Sequence, residues 1–399
     1  MKKFSSITTV MFFVLLITSI SSHASDTEVK KNLKPKAVLK KLELANTYFT
    51  KKYPDVEIVT GSAKMDFREF PSNYWAGAVY YVGLMALNSI HPKEEYYEQA
   101  VKWGESHNWM LNSYKVGQPR VYSRNANDHC AGQTYLELYQ IDPKLERIAT
   151  IRESLARIIE TPEANKDWYW VDALFMAMPT FAKLGVIEKD KKYFEKMHEM
   201  YLAVKNEIGG GLYNAEDGLW WRDADFTPPY KEPNGEDCYW SRGNGWVYAA
   251  LVRVLNVLPE DNKYREEYLK TFKKMSEALL KVQRTDGFWN VSLHDPTHFE
   301  GKELTGTAMF TYGFAWGINN HILEESKYAD AMLKAWSGLS KCVHKDGFLG
   351  YVQGTGKEPK DSQPVTYDSE PDLQDYGLGC FLLGGSEVFK YLMIQKSIR

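Results

Sequence analysis

Two aspartates and one arginine stand where their neighbours could turn them to chemistry. Asp172 lies in "DWYWVDALFMAMP", after Trp168, Trp170 and Val171 and before Ala173, Leu174 and Phe175. A carboxylate in such company is partly desolvated, which raises its pKa and prepares it to donate a proton near neutral pH. The bland alternative is a buried Asp satisfied by backbone N–H groups. Asp128, in "NANDHCAGQTYLELY", opens an apolar helical pattern. Asp is favoured at helix N-caps, so capping and catalysis both account for it. Arg242 lies in "YWSRGNGWVYAAL", residues 239–251, between Trp240 and Trp246. Its planar fork suits a carboxylate, either that of a uronic acid or that of an internal Asp or Glu. Six residues apart, the two tryptophans would not align along one continuous helix. Gly243 and Gly245 are expected to supply a tight turn that lets both rings face one sugar. A pair of carboxylates at one place is the equipment of glycosidic-bond chemistry, as acid with base or nucleophile.

Twelve segments must position these residues, and they alternate between two kinds. Six are amphipathic and charged: 37–53, 94–111, 143–160, then "KKYFEKMHEMYLAVKNEI", "YREEYLKTFKKMSEALLKVQ" and "KYADAMLKAWSGLSKCVH". Their apolar residues recur at i, i+3, i+4 and i+7, the mark of a helix with one wet face. The other six, 74–87, 128–139, 170–185, 243–255, 305–318 and 375–392, are apolar nearly all round and rich in small residues. Such helices are buried on more than one side. Six outer and six inner helices in strict alternation predict an all-α, closed (α/α)6 barrel. An open solenoid would have more uniform repeats. Three Asp-Gly turns, in "NAEDGLWWRD", "RTDGFWNVS" and "HKDGFLGYV", each follow an outer helix and predict short β-hairpins. They fall at the end where inner helices begin. Aromatic loops and positive helix ends converge there, so the active site is expected at that face.

Bulk properties narrow the partners. The 399 residues are 44% hydrophobic and 25% charged, with a formal net charge of -3 and no basic block. Nucleic acid is therefore not an expected partner. Aromatics reach 14%, with 12 Trp and 26 Tyr, which fits a sugar-binding cleft as well as a large core. Lys2 and Lys3 precede an apolar run at 10–17 and a small-residue site at Ser22-His23-Ala24. Residues 1–25 read as a signal peptide and 26–399 as one catalytic barrel, exported to the periplasm or beyond. No later stretch is expected to span a membrane. Cys130, Cys238, Cys342 and Cys380 are scattered, without the spacing of a zinc site.

The stretches "YWSRGNGW", "WYWVDALFMAMP", "NANDHCAGQTYLELY" and "TGTAMFTYGFAWGI" together resemble the unsaturated rhamnogalacturonyl hydrolases, glycoside hydrolase family 105. The related unsaturated glucuronyl hydrolases, family 88, share their fold. The resemblance implies a substrate capped at its non-reducing end by a 4,5-unsaturated uronic acid left by a polysaccharide lyase. It implies hydration of the C4=C5 vinyl ether without metal or organic cofactor. Asp172 matches the acid/base, and Asp128 the second aspartate. Trp240, Arg242 and Trp246 match the residues that bind the uronate, and Tyr74 or Trp75 would lie at the same subsite. His129 and Trp168, beside the two aspartates, join the expected sugar contacts. The sequence departs from the family where many members place a His after the hairpin. "DGLWWRD" has Arg222 there, which fits either a second acidic group on the substrate or a solvated hairpin arginine. The competing readings are a conventional inverting glycosidase and a carbohydrate-binding barrel without activity.

Overall fold

The computed structural model describes residues 33–60, 69–111, 123–161 and 165–398. The expected signal peptide lies outside them. Among the described residues, twelve α-helices alternate as the sequence periodicity predicts. The outer set is α1 (Pro35–Lys52), α3 (Glu94–Ser106), α5 (Glu146–Glu160), α7 (Lys191–Asn206), α9 (Arg265–Lys281) and α11 (Glu325–Leu339). The inner set is α2 (Trp75–Ile90), α4 (Ala126–Ile141), α6 (Asp172–Glu188), α8 (Ser241–Leu255), α10 (Leu304–Asn319) and α12 (Asp375–Ile398). Each inner helix packs on the next, and α12 packs on α2, so the inner ring closes. The outer helices α3, α5, α7, α9 and α11 lie on the inner helix that precedes them; α1 lies on α12 and covers the seam. This is the (α/α)6 barrel. Its inner layer explains the two compositions: every residue of α8 is buried, whereas α9 keeps a charged outer face.

Small residues set how closely the ring can close. At the α2–α12 seam, a Cβ on Gly83 would lie 2.6 Å from the Gly379 carbonyl oxygen, and one on Gly379 would lie 2.2 Å from that of Val79. Backbone cannot yield as a side chain does. Gly379→Ala should therefore cost about 1–3 kcal/mol, the usual range for overpacking. Chemical denaturation checks it; an unchanged midpoint would show that the seam is slack.

The Asp-Gly turns are present. Gly218, Gly287 and Gly347 have φ of +73°, +91° and +106°, conformations that suit a residue without Cβ. Paired strands form only at the first, β3 (Tyr213–Asn214) with β4 (Leu219–Trp220). The earlier pair, β1 (Ile58–Thr60) and β2 (Glu69–Pro71), precedes α2. At Gly287 and Gly347 the chain turns without an extended ladder. Two expectations need correction. Helix α12 does reach the length and hydropathy of a membrane span, with a mean hydropathy of 1.3 over its most apolar stretch. Of that stretch, 72% is buried between α2, α10 and the outer helices, so its apolarity is that of a core helix. Gly243 and Gly245 form no turn. Both lie inside α8, and a Cβ on Gly245 would meet Met309 at 2.6 Å, so the glycines serve close packing. The cysteines are all free and buried.

Candidate active site

All six inner helices start at one end of the barrel, and their first turns carry the polar residues. Asp172 is the first residue of α6. Asp128 sits in the first turn of α4, the neighbouring inner helix. It is not the cap: Asn125 is, accepting the Asn127 N–H at 2.9 Å. Asp128 instead receives a short hydrogen bond from the Ser123 hydroxyl and is only 2% exposed. The loops ahead of these two helices are tied by a bidentate pair: Arg124 Nε and Nη2 donate to the Asp167 oxygens at 3.1 and 2.5 Å. Both aspartates are thus carried by braced backbone.

The hairpin supplies the third charged group. The chain after β4 is stitched to the start of α6 by the Val171 N–H, which donates to the Arg222 carbonyl at 2.9 Å. A further bridge joins Trp170 and Asp223. Arg222 is thereby held beside Asp172. Its Nη1 donates to Asp223 Oδ2 at 2.6 Å and its Nη2 to Asp172 Oδ2 at 3.4 Å. Asp172 Oδ1 is buried and accepts no hydrogen bond among the described residues. Its side chain as a whole keeps 13% exposure. Burial raises the Asp172 pKa above the ordinary carboxyl value; Arg222 and Arg242 oppose that rise without cancelling it. A carboxyl whose pKa is raised by burial, with part of its side chain still exposed, can act as an acid. Arg222 is neither solvated nor free for a second acidic group, because both terminal nitrogens already meet carboxylates.

Arg242 also differs from expectation. It is 1% exposed, and its fork grips backbone rather than a carboxylate. Nη1 donates to the Gln353 carbonyl and Nη2 to the Gly354 carbonyl, each at 2.8 Å. The guanidinium lies over the Trp240 ring at 4.4 Å and the Tyr376 ring at 5.3 Å. Trp240 Nε1 donates to Gln353 Oε1 at 3.0 Å, and the Tyr376 hydroxyl donates to the Gln353 carbonyl. Arg242 therefore fastens the segment after the third Asp-Gly turn to the mouth of α8, and its charge reaches Asp172 through space.

The aromatic residues divide into open and closed faces. Trp240 and Trp246 are each 1% exposed, too closed to stack on a sugar. Trp246 meets Trp75 edge to face at 6.3 Å and Phe175 at 4.8 Å. Trp75, half-buried, rests on Tyr376 at 5.2 Å and on Tyr74 at 5.9 Å. The accessible rings are Trp75 and Tyr74, at the start of α2; the buried rings support them. His129 and Trp168 are not at the site. His129 is fully buried, its Nε2 within 2.9 Å of the Ser123 carbonyl and 3.1 Å of Ser154 on α5. Burial lowers its pKa to about 4, so it stays neutral and structural. Trp168 is fully buried edge to face on Phe181, well along α6. Three residues of this arrangement were not singled out from sequence: Asp223, Gln353 and Tyr376. Only Tyr376, in "QDYG" at the start of the last inner helix, carried a signal, by analogy with the other helix openings.

Relatives share this architecture. The profile of Glycosyl Hydrolase Family 88 matches residues 41–392. The chain is 33% identical over 337 residues to a protein of Formosa agariphila named "Unsaturated 3S-rhamnoglycuronyl hydrolase", covering 79% of this chain and 84% of that one. The solved structure titled "Glycosyl hydrolase family 88 from Bacteroides vulgatus" superposes with a TM-score of 0.80 at 33% identity, covering 90% of this chain and 99% of that one. Another, titled "Polysaccharide Lyase BACCELL_00875", also has a TM-score of 0.80, at 34% identity, covering 90% of this chain and 98% of that one. A profile match that runs from the first outer helix into the last inner one leaves a single assignment: the chain belongs to Glycosyl Hydrolase Family 88 and is a glycoside hydrolase.

Proposed function

We propose that the enzyme removes a 4,5-unsaturated uronic acid from the non-reducing end of lyase-generated oligosaccharides. The observation that carries this reading is the Asp172 carboxyl: raised in pKa by burial, with 13% of its side chain still exposed, at the head of an inner helix. Relatives named for unsaturated rhamnoglycuronyl hydrolysis support it. The unsaturated ring packs on Trp75, with Tyr74 alongside. Asp172 gives its proton to C4 of the vinyl ether, and positive charge develops at C5 and the ring oxygen. Water adds at C5 and returns a proton to Asp172. The product is a C5 hemiketal. It opens by cleaving the bond between C5 and the ring oxygen, which leaves a ketone at C5 and a hemiacetal at C1. That hemiacetal releases the aglycone as an alcohol. Asp128, one inner helix away, orients the sugar or the water. The chain acts as a single exported barrel, supported by the basic and apolar residues near its N-terminus. A rhamnose-containing aglycone fits the names of its relatives.

The test is spectroscopic. Incubated with unsaturated disaccharides, the enzyme should abolish the ultraviolet band of the conjugated uronate as the aglycone appears. Sugar release with the band retained would instead establish a conventional glycosidase. A rising band on intact polysaccharide would establish a lyase.

A further inference from the structure

The contact between Arg222 and Asp172 is unequal at its two ends. Toward Asp223 the guanidinium makes a tight, 2.6 Å ion pair; toward Asp172 it makes a loose one of 3.4 Å. Asp223 is itself anchored, since its Oδ1 accepts the Asp225 N–H at 2.9 Å. The backbone on either side is stitched to 170–171. Arg222 therefore cannot swing toward Asp172, nor can it be pulled away by it. Its one reach is to Oδ2, the carboxyl oxygen opposite the buried, unpartnered Oδ1. An anchored cation at this distance restrains the carboxyl's rotation yet leaves Oδ2 free to bond to something else.

We propose that Arg222, held by Asp223, is a positioning residue that aims Oδ2 of Asp172 into the cleft and yields that oxygen when proton transfer occurs. The inference rests on the function proposed above. Charge follows from the same geometry. The charged groups facing Asp172 are Arg222 and Asp223 from the segment after β4, and Arg242 from α8. Arg222 favours the carboxylate, and Asp223 disfavours it. The acid step needs Asp172 protonated, so activity is lost as pH rises through its pKa. That loss is the alkaline limb of the pH profile. Removing the cation moves the limb up in pH; removing the Asp223 charge moves it down. The two variants thus have opposite signs, which damage to the fold would not produce.

The experiment compares wild type, Arg222→Met, Arg222→Lys and Asp223→Asn on one unsaturated disaccharide, following loss of the ultraviolet band from pH 4 to 9. Arg222→Met should lose roughly 10–100-fold in kcat with KM within about threefold, and its alkaline limb should rise by about one pH unit. Arg222→Lys should return the limb close to the wild-type position. Asp223→Asn should shift it downward, and does so independently if Arg222→Met proves unstable. Limbs that stay together in active variants, or a KM rise alone with Arg222→Met, would overturn the proposal. Inactivity of the wild type on every unsaturated disaccharide would instead sink the proposed function itself.

Discussion

Asp172→Asn is expected to cut band loss on an unsaturated disaccharide by about 10⁴-fold, the upper end of general acid–base effects. At 1.36 kcal/mol per decade this is about 5.4 kcal/mol of transition-state stabilisation. The upper end applies because one carboxyl serves twice, first giving a proton to C4 and then taking one from water. Asn keeps the shape and one carbonyl oxygen but can do neither. The fold should not suffer. Oδ1 of Asp172 is buried without a hydrogen bond among the described residues, so a charge there is a burden on the folded state rather than a support. Arg222 retains its tight pair with Asp223. The variant should therefore melt at or above the wild-type temperature and bind the disaccharide with a similar Kd, measured by calorimetry. A rate within tenfold of wild type would remove Asp172 from the chemistry.

The difference between what the sequence disclosed and what it withheld lies in how each property is encoded. The barrel was legible because solvent writes it into every helix: α9 alternates charge and apolar residues, whereas α8 and α10, buried on all sides in a ring, are apolar nearly all round. The burial of Asp172 and its raised pKa were legible because its sequence neighbours are aromatic and apolar. The partners of each polar group were not legible. Arg242 between two tryptophans reads as a cation awaiting an anion, but its bonds go to two backbone carbonyls about 110 residues away. Backbone acceptors carry no residue-type signature. His129 beside Asp128 looked like a site residue, yet adjacent positions on a helix point about 100° apart. Asp128 meets the Ser123 hydroxyl, whereas His129 reaches the Ser123 carbonyl and Ser154 on an outer helix. Gly243 and Gly245 read as a turn, because glycine permits turns; here they permit contact with Met309 and Trp240 instead. Between them Asn244 accepts the Trp220 N–H at 2.9 Å and donates to the Trp220 and Trp240 carbonyls. The motif is thus a clasp between helix and hairpin, and the hairpin it clasps is the one that delivers Arg222.

Glu137→Ala should be the most damaging single change far from the cleft, costing about 3–5 kcal/mol, because it leaves buried cations without their anion. Glu137, Lys183 and Arg253 stand near the C-terminal ends of α4, α6 and α8, three consecutive inner helices. Glu137 accepts from Lys183 Nζ at 2.5 Å and from Arg253 Nη2 at 2.7 Å, while Arg253 Nε donates to Gln133 at 2.6 Å. Lys183 and Arg253 have side-chain exposures of only 7% and 8%. Burial drives the Glu137 pKa up, but the two cations outweigh it and hold the group below its ordinary value. A carboxyl depressed in the folded state stabilises it fully above the unfolded value, about pH 4.3, and loses that contribution as pH falls through the folded value. Wild-type stability should therefore drop in acid, and Glu137→Ala should flatten that part of the profile while lowering the plateau. Lys183 can relieve its burial by shedding a proton, and burial already pulls its pKa down. Arg253 cannot. Adding Lys183→Met to Glu137→Ala should consequently recover only part of the loss, and adding Arg253→Met should recover more. Urea unfolding of the three variants at pH 7 decides it: equal recovery from the two additions would mean that the arginine is hydrated after all. The active-site end should report little of this, since the network lies at the opposite ends of the helices that carry Asp128, Asp172 and Arg242. The kcat of the folded fraction is therefore expected to stay within about twofold of wild type, because sites well separated in a packed structure behave nearly independently.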